Sequence, residues 1–528
     1  MSAIAGIVSK NNKPITSQLL LMLQTMTHRG NGYYININGQ PIYCKNLTDI
    51  ESSISTGTIG IGSNVSNSNQ IGIQSLASDS NYCVLDGEVY NYPSLLGTKE
   101  YQQDNEYEIF SNIFEKYFDD NQIKRSLGKL IIELDGGFSF AVLNVNKNRI
   151  IVARDILGIK PLYIAENEVS IAFATELKAL WQIGFTNQIR AIEPGDCITI
   201  TSEGILSYNF RVNLKNEIKN LDFESCLKKL DELLLEAISK RVSGSEVAIL
   251  FSGGLDSSCI AKMTNDLGVD VQLFVACFKG GKDEYHSKLA AASLGLPIGR
   301  AELTDEKIKK ELHEIIYHLE DPDTLAVEIA LPLHFACGLA SERGYKYVFN
   351  GQGADELFAG YNRYERILKK NNYQYLHEML FKDVLNLWHH DIIRDDKISM
   401  GNSIELKMPY LDLHLVKFGL SIPPAFKLKQ LGNNFVRKYI LKTLGKRRGL
   451  DRKLLNLPKV AVQYGSGASK GLKRIGMKLG IDNERAKALG FSNTIDALTN
   501  IVFHDLVYSK TSITTIPDSL LAKIRSWK

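Results

Sequence analysis

"VAILFSGGLDSS" occupies residues 247–258. Val247–Phe251 is wholly apolar, as expected of a strand buried on both faces, and the following turn opens a helix expected to begin at Ser257. Strand, glycine turn and helix in that order belong to a parallel sheet that takes its ligand at the carboxyl ends of the strands. Gly253 and Gly254 let the backbone close around an anion, while Ser252, Ser257, Ser258 and the first helical amides supply donors. This is a phosphate cradle. It lacks the lysine of the loop that holds a transferable γ-phosphate. Asp256 would repel a bare phosphate, so a bridging Mg²⁺ is expected.

A second glycine turn, "NGQGADELFAGY" (350–361), follows the short apolar strand Tyr347-Val348-Phe349. Asp355 is placed to complete the magnesium shell with Asp256, and the backbone of Asn350 and Gly351 to line an adenine and ribose. Upstream, residues 1–210 alternate short strands (58–62, 82–85, 138–143) with helical stretches near 17–27 and 106–118, an α+β pattern. The polar stretch 211–221 reads as a linker, after which Phe223, Leu227, Leu230, Leu234 and Ile238 recur at helical spacing. Residues 361–528 are mostly helical by pattern, and the basic tract Lys438–Arg448 reads as a solvated face.

The chain has 528 residues, enough for two or three domains, with 44% hydrophobic and 23% charged residues. Lys plus Arg (62) nearly balance Asp plus Glu (59), which gives no reason to expect nucleic acid. Neither a membrane-length apolar run nor a signal-peptide pattern is present, and a cytoplasmic protein is expected. Seven cysteines lie at 44, 83, 197, 226, 259, 277 and 337 without a C-x-x-C pair, as structural thiols rather than zinc or disulfide sites.

Ser-Gly-Gly-Leu-Asp-Ser-Ser resembles the pyrophosphate loop of ATP pyrophosphatases, and with Asn350–Glu356 the chain resembles glutamine-dependent asparagine synthetase. Matches continue through Glu320–Asp323, Asp396-Lys397, Glu405–Asp412, Pro458-Lys459 and Gln463–Gly467. Before them stand His28-Arg29-Gly30, Gly87–Tyr92 and Ala153–Tyr163. The resemblance implies an N-terminal nucleophile-type, four-layer α/β/β/α domain over 1–210 and an ATP-pyrophosphatase-type α/β domain over 222–528, helical toward its end. It implies ATP and Mg²⁺, aspartate or another small carboxylate as acceptor, ammonia or an amine as donor, and is compatible with a homodimer. By the same resemblance Phe251, Ser252, Gly253, Gly254, Leu255, Asp256, Ser257, Ser258, Ala276, Asn350 and Gly351 bind ATP, Asp256 and Asp355 hold the metal, and Lys459 stabilises the charge developing at the α-phosphate.

The departures from the family's pattern carry information of their own. Gln352 stands where the family has a proton-handling glutamate, and an amide cannot act as a base. Lys407 replaces an arginine, which removes a bidentate fork and bears on the acceptor. The family begins Met-Cys-Gly; this chain begins Met1-Ser2-Ala3, so Ser2 reads as the remnant of an N-terminal nucleophile. The family's Asn-Gly-Glu is Asp86-Gly87-Glu88, which trades an oxyanion donor for a carboxylate. Gly62–Val65 lacks the arginine that grips the glutamine carboxylate, and only Glu106 remains of the acid that holds the glutamine ammonium. The expected activity is therefore ammonia-dependent asparagine formation with an inactive glutaminase half. An amide or lactam ligase for another carboxylate, and a nucleotide-binding homologue without catalysis, stand as alternatives.

Overall fold

The computed structural model describes residues 2–47, 56–65, 81–97, 106–211, 214, 217–457 and 460–507, without the side chains of 106–108 and 507. The chain divides into two compact units, 1–215 and 216–528, and the division falls inside the polar stretch 211–221.

In the first unit the strand Ser2–Ser9 is apolar on both faces because both are covered. Ala3, Ala5 and Ile7 pack on Leu19, Met22 and Leu23 of the helix Thr16–Thr25. Ile4 and Val8 face Val84, Ala141 and Val152 of a second sheet. The first sheet runs, by residue range, 189–191, 163–166, 170–174, 2–9, 59–65, 32–37, 40–44; the second runs 204–209, 196–201, 149–154, 136–144, 81–89. All pairings within them are antiparallel. On the outer face of the second sheet Phe110, from the helix Glu106–Tyr117, packs on Phe140 at 4.6 Å between ring centroids. The layers are thus helix, sheet, sheet, helix.

The second unit is built on a five-stranded parallel sheet in the order 298–303, 270–278, 246–250, 347–349, 405–407. Strand Glu246–Leu250 lies at its centre, and the chain leaves it first toward one edge and later toward the other. That reversal opens a crevice at the carboxyl ends. The turns after 246–250 and 347–349 meet there because these two strands are neighbours.

From Asn362 to Val507 the fold is largely helical, with a small hairpin of 429–431 against 434–436. Its core joins Ile308, Leu312 and Ile315 to Leu472, Ile475, Leu498 and Ile501. Helix Thr324–Glu342 is long and apolar enough to cross a membrane by length and composition, yet 56% of its most apolar window is buried inside the fold. Val327, Ala330, Leu331 and Ala336 belong to the same core.

Candidate active site

The helix after the central strand begins at Leu255 rather than Ser257, with Gly254 in the capping position, so Asp256 stands in its first turn. Gly253 has φ +75°, and a Cβ there would lie 2.5 Å from the backbone of His286. Only glycine suits both the conformation and the approach. A Cβ on Gly254 would meet nothing nearer than Ser252 Oγ at 3.3 Å, which leaves the concave side of the turn open. The turn faces a cavity of about 500 Å³, the size of a nucleotide site. Phe251, Ser252, Gly253, Gly254, Leu255, Asp256, Ser257, Ala276, Asn350 and Gly351 all line it. Ser258 does not; it is fully buried one residue deeper in the helix.

The two acids expected to hold a cation are brought together. Lys438 Nζ lies 2.6 and 2.5 Å from the carboxylate oxygens of Asp256 and 2.7 Å from Asp355 Oδ1. Burial works against the charge on Lys438, but the two carboxylates outweigh it and hold the ammonium's pKa well above the ordinary lysine range. Reading the tract 438–448 as a solvated face is therefore wrong for its first residue. Lys438 is buried, sits at φ +51°, and lines the cavity with Lys442. Gly360 makes room for the pair, since a Cβ there would fall 1.8 Å from Asp355 Oδ1.

Among the described residues no three His, Cys, Asp or Glu form a complete metal shell. Two hard oxygen donors beside a phosphate cradle do suit Mg²⁺, which takes its remaining ligands from phosphate and water. The residues fit the ion.

The wall beyond the second turn is acidic. Asn350 Oδ1 accepts from the Gln352 amide at 2.8 Å, and Asn350 Nδ2 donates to Asp395 Oδ2 at 3.2 Å. Arg394 forks onto Asp395 Oδ1 at 2.9 and 2.7 Å and reaches Asp391 Oδ1 at 2.9 Å. Tyr361 donates to Glu356, whose carboxyl is pushed up to about 7 by burial and by the neighbouring Asp355. Asp391 and Asp395 were not apparent from spacing, unlike Asp355 and Glu356 of the second turn. Their only signal was the local excess of Asp in Asp391–Asp396.

Lys407 turns away from this wall, with its ammonium 4.5 Å from the centre of the Tyr347 ring. Its backbone carbonyl accepts from the Asn350 amide at 2.9 Å. Lys459 and Pro458 lie outside the described residues, though Leu457 and Val460 on either side line the cavity. Two other matched segments serve the fold. Lys397 pairs with Glu320 at 2.6 Å, and Asp412 caps the helix Leu413–Ser421 while pairing with Lys240 and Arg241.

In the first unit Ser2 Oγ donates to Asp86 Oδ1 at 3.1 Å, both residues buried. Asp86 is flanked by Arg29 and Lys160, each at 3.8 Å. Arg29 in turn pairs at 2.5 Å with Glu176, which also meets Lys178 at 2.5 Å and His28 at 2.9 Å. Burial favours a protonated Glu176, but His28, Lys178 and Arg29 together hold its carboxyl far below the usual range. The Asp86 carboxylate is thus part of a buried ionic network with cations on two sides. Gly87 has φ +106°, and a Cβ on it would collide with the Gly137 carbonyl at 2.0 Å. Glu88 is half-buried beside it, and the Glu106 side chain lies outside the described set.

The asparagine synthase family pattern matches residues 229–375 and 369–498, and a glutamine amidotransferase domain pattern matches 64–182. A Methanocaldococcus jannaschii protein assigned to the glutamine-hydrolysing asparagine synthetases is 28% identical over 92% of this chain and 97% of its own length. A glutamine-hydrolysing asparagine synthetase of Oryza sativa subsp. japonica is 26% identical over 68% of this chain and 60% of its own length. Among solved structures, the glutamine phosphoribosylpyrophosphate amidotransferase of B. subtilis aligns at 19% identity and a TM-score of 0.34, over 53% of this chain and 67% of that one. With the asparagine synthase pattern spanning half of its length and the phosphate cradle and acid pair inside that span, this chain belongs to the asparagine synthase family, whose members are carbon–nitrogen ligases.

Proposed function

We propose that the protein forms asparagine from aspartate, ATP and ammonia. The observation that carries this reading is the convergence of Asp256 and Asp355 on one ammonium at the mouth of the phosphate cradle. A side-chain carboxylate oxygen of aspartate attacks the α-phosphorus and pyrophosphate leaves into the cradle of Ser252–Ser257. Mg²⁺ held by Asp256 and Asp355 would neutralise the leaving pyrophosphate. In this reading the charge of Lys459 would stabilise the α-phosphate during adenylation and later the tetrahedral intermediate. Ammonia then displaces AMP from the aspartyl adenylate.

Glutamine is not the source of that ammonia in this reading. A serine hydroxyl needs a free base beside it to attack an amide, and the Ser2 hydroxyl donates to a carboxylate already paired with Arg29 and Lys160. Such a carboxylate is a poor base and stands where an oxyanion donor is required. The first unit then serves the fold rather than the chemistry. Purified protein given aspartate, ATP, Mg²⁺ and isotopically labelled ammonium should yield labelled asparagine, AMP and pyrophosphate. Release of ADP, or no consumption of ATP, would refute the assignment.

Gln352 on the cavity wall favours one second reading, an amide or lactam ligase for a different carboxylate. Pyrophosphate exchange across a panel of amino and dicarboxylic acids separates the two.

A further inference from the structure

We infer that Asp395 is the carboxylate that takes the proton from the attacking amine, in place of the glutamate that this chain lacks at Gln352. The inference rests on the amide-ligase reading above. Asn350 makes the connection, since its side-chain amide holds the Gln352 backbone through one end and Asp395 Oδ2 through the other. The acid is therefore one side chain away from the position that lost its carboxylate, and both residues line the same cavity.

The two oxygens of Asp395 are unlike. Oδ1 takes both arms of the Arg394 fork, whereas among the described residues Oδ2 accepts only a neutral amide hydrogen at 3.2 Å. A carboxylate oxygen has lone pairs for more than one donor, so Oδ2 keeps capacity for a hydrogen from a ligand in the cavity. The other charged or titratable groups facing Asp395 among the described residues are Arg394 from its own helix, Asp391 from the turn Trp388–Ile392 before it, and Cys337 from Thr324–Glu342. Burial raises the carboxyl above the ordinary aspartate range against the pull of Arg394, which moves it toward the basicity a proton acceptor needs near neutral pH. Asp391 is the less suitable acid, because its side chain is 37% exposed against 4% for Asp395.

In the step itself the nitrogen lone pair of ammonia forms the new C–N bond at the acyl adenylate carbon, and the carbonyl π pair moves to oxygen. One N–H proton passes to Asp395 Oδ2. Collapse of the tetrahedral intermediate breaks the C–O bond to phosphate, AMP leaves with that electron pair, and Asp395 returns its proton to solvent.

The test separates the two half-reactions. Asp395→Asn should keep acid-dependent exchange of pyrophosphate into ATP while ammonia-dependent amide formation falls at least ~10²-fold, the usual contribution of a positioned base. Hydroxylamine, a free base at neutral pH, should restore turnover in that variant as hydroxamate. The double variant Gln352→Glu/Asp395→Asn should recover amide formation with ammonia. If Asp395→Asn fails to fold, Asn350→Ala tests the same acid. Removing a donor from the carboxylate raises its pKa, so the acidic limb of the amide-formation profile should move to higher pH. Unimpaired amide formation in Asp395→Asn, loss of both half-reactions without rescue by Gln352→Glu, or an unmoved limb in Asn350→Ala would each overturn the assignment. Wild-type protein that exchanges pyrophosphate with no acid would instead overturn the ligase reading beneath it.

Discussion

Lys438 Nζ contacts both carboxylate oxygens of Asp256, at 2.6 and 2.5 Å, and Asp355 Oδ1 at 2.7 Å, so that one ammonium joins the two acids. Lys438→Met removes the ammonium and leaves two part-buried acids facing each other. Breaking such a pair costs about 3 kcal/mol. The variant should melt below the wild type without metal and should gain more from Mg²⁺, which replaces the missing cation. Thermal unfolding with and without magnesium chloride reads this directly. Equal magnesium shifts in the two proteins would mean that Lys438 and the metal do not share a seat.

A different lysine places a pH dependence on stability. Lys427 is fully buried, has no hydrogen-bond partner among the described residues, and burial lowers its pKa to about 7. The unfolded chain therefore binds one proton more than the folded chain between pH about 7 and the ordinary lysine value of about 10.4, and stability rises with pH across that window. Below about pH 7 the penalty is at its fullest. Lys427→Met should raise stability by several kcal/mol, on the order of 1.4 per pKa unit displaced, at pH 6 and by much less near pH 10. Urea unfolding at the two pH values measures the difference. A variant no more stable at pH 6 than the wild type would show that the amine is satisfied in the fold.

For the first unit the expectation is silence toward glutamine. Glutamate release from glutamine should stay at the uncatalysed level in the wild type, and Ser2→Ala should leave ammonia-dependent turnover unchanged. Ser2→Cys alone should not create a glutaminase, because the carboxylate of Asp86, hydrogen-bonded to the residue 2 side chain, would repel a developing oxyanion. Glutamate release that disappears in Ser2→Ala would make Ser2 a working nucleophile.

The sheet at 246–250 and the cradle after it were legible because local rules settle them: an apolar strand, a glycine pair and an acid at a helix start. Asp355 was legible because its turn repeats the pattern. Lys438 was not, because it stands in a run of cations and nothing local distinguishes a buried lysine from a solvated one. The same holds for Asp395, whose surroundings come from Asn350 and Cys337 on other elements. At Lys407 the lost guanidinium fork was visible, but not the Tyr347 ring that its ammonium meets. In the first unit the loss of the thiol was visible at Ser2, but the pairing of Asp86 with Arg29 and Lys160 required three distant strands and turns to be assembled.

Lys459 should matter to both chemical steps. Lys459→Met keeps the length and removes the charge, and turnover of ATP to AMP should fall about 10²- to 10³-fold, as for loss of one preorganised electrostatic contact. Steady-state AMP formation measures it. An unchanged rate would show that Lys459 takes no part in the chemistry.

The central claim is that this chain activates a carboxylate by adenylation through the Asp256–Asp355 site. It is tested most directly by incorporation of radiolabelled pyrophosphate into ATP, with aspartate and Mg²⁺, in the wild type and in Asp256→Ala. Exchange should require both aspartate and Mg²⁺ in the wild type and fall at least ~10²-fold in the variant. Full exchange in Asp256→Ala, or exchange in the wild type that is indifferent to the carboxylate supplied, would contradict it.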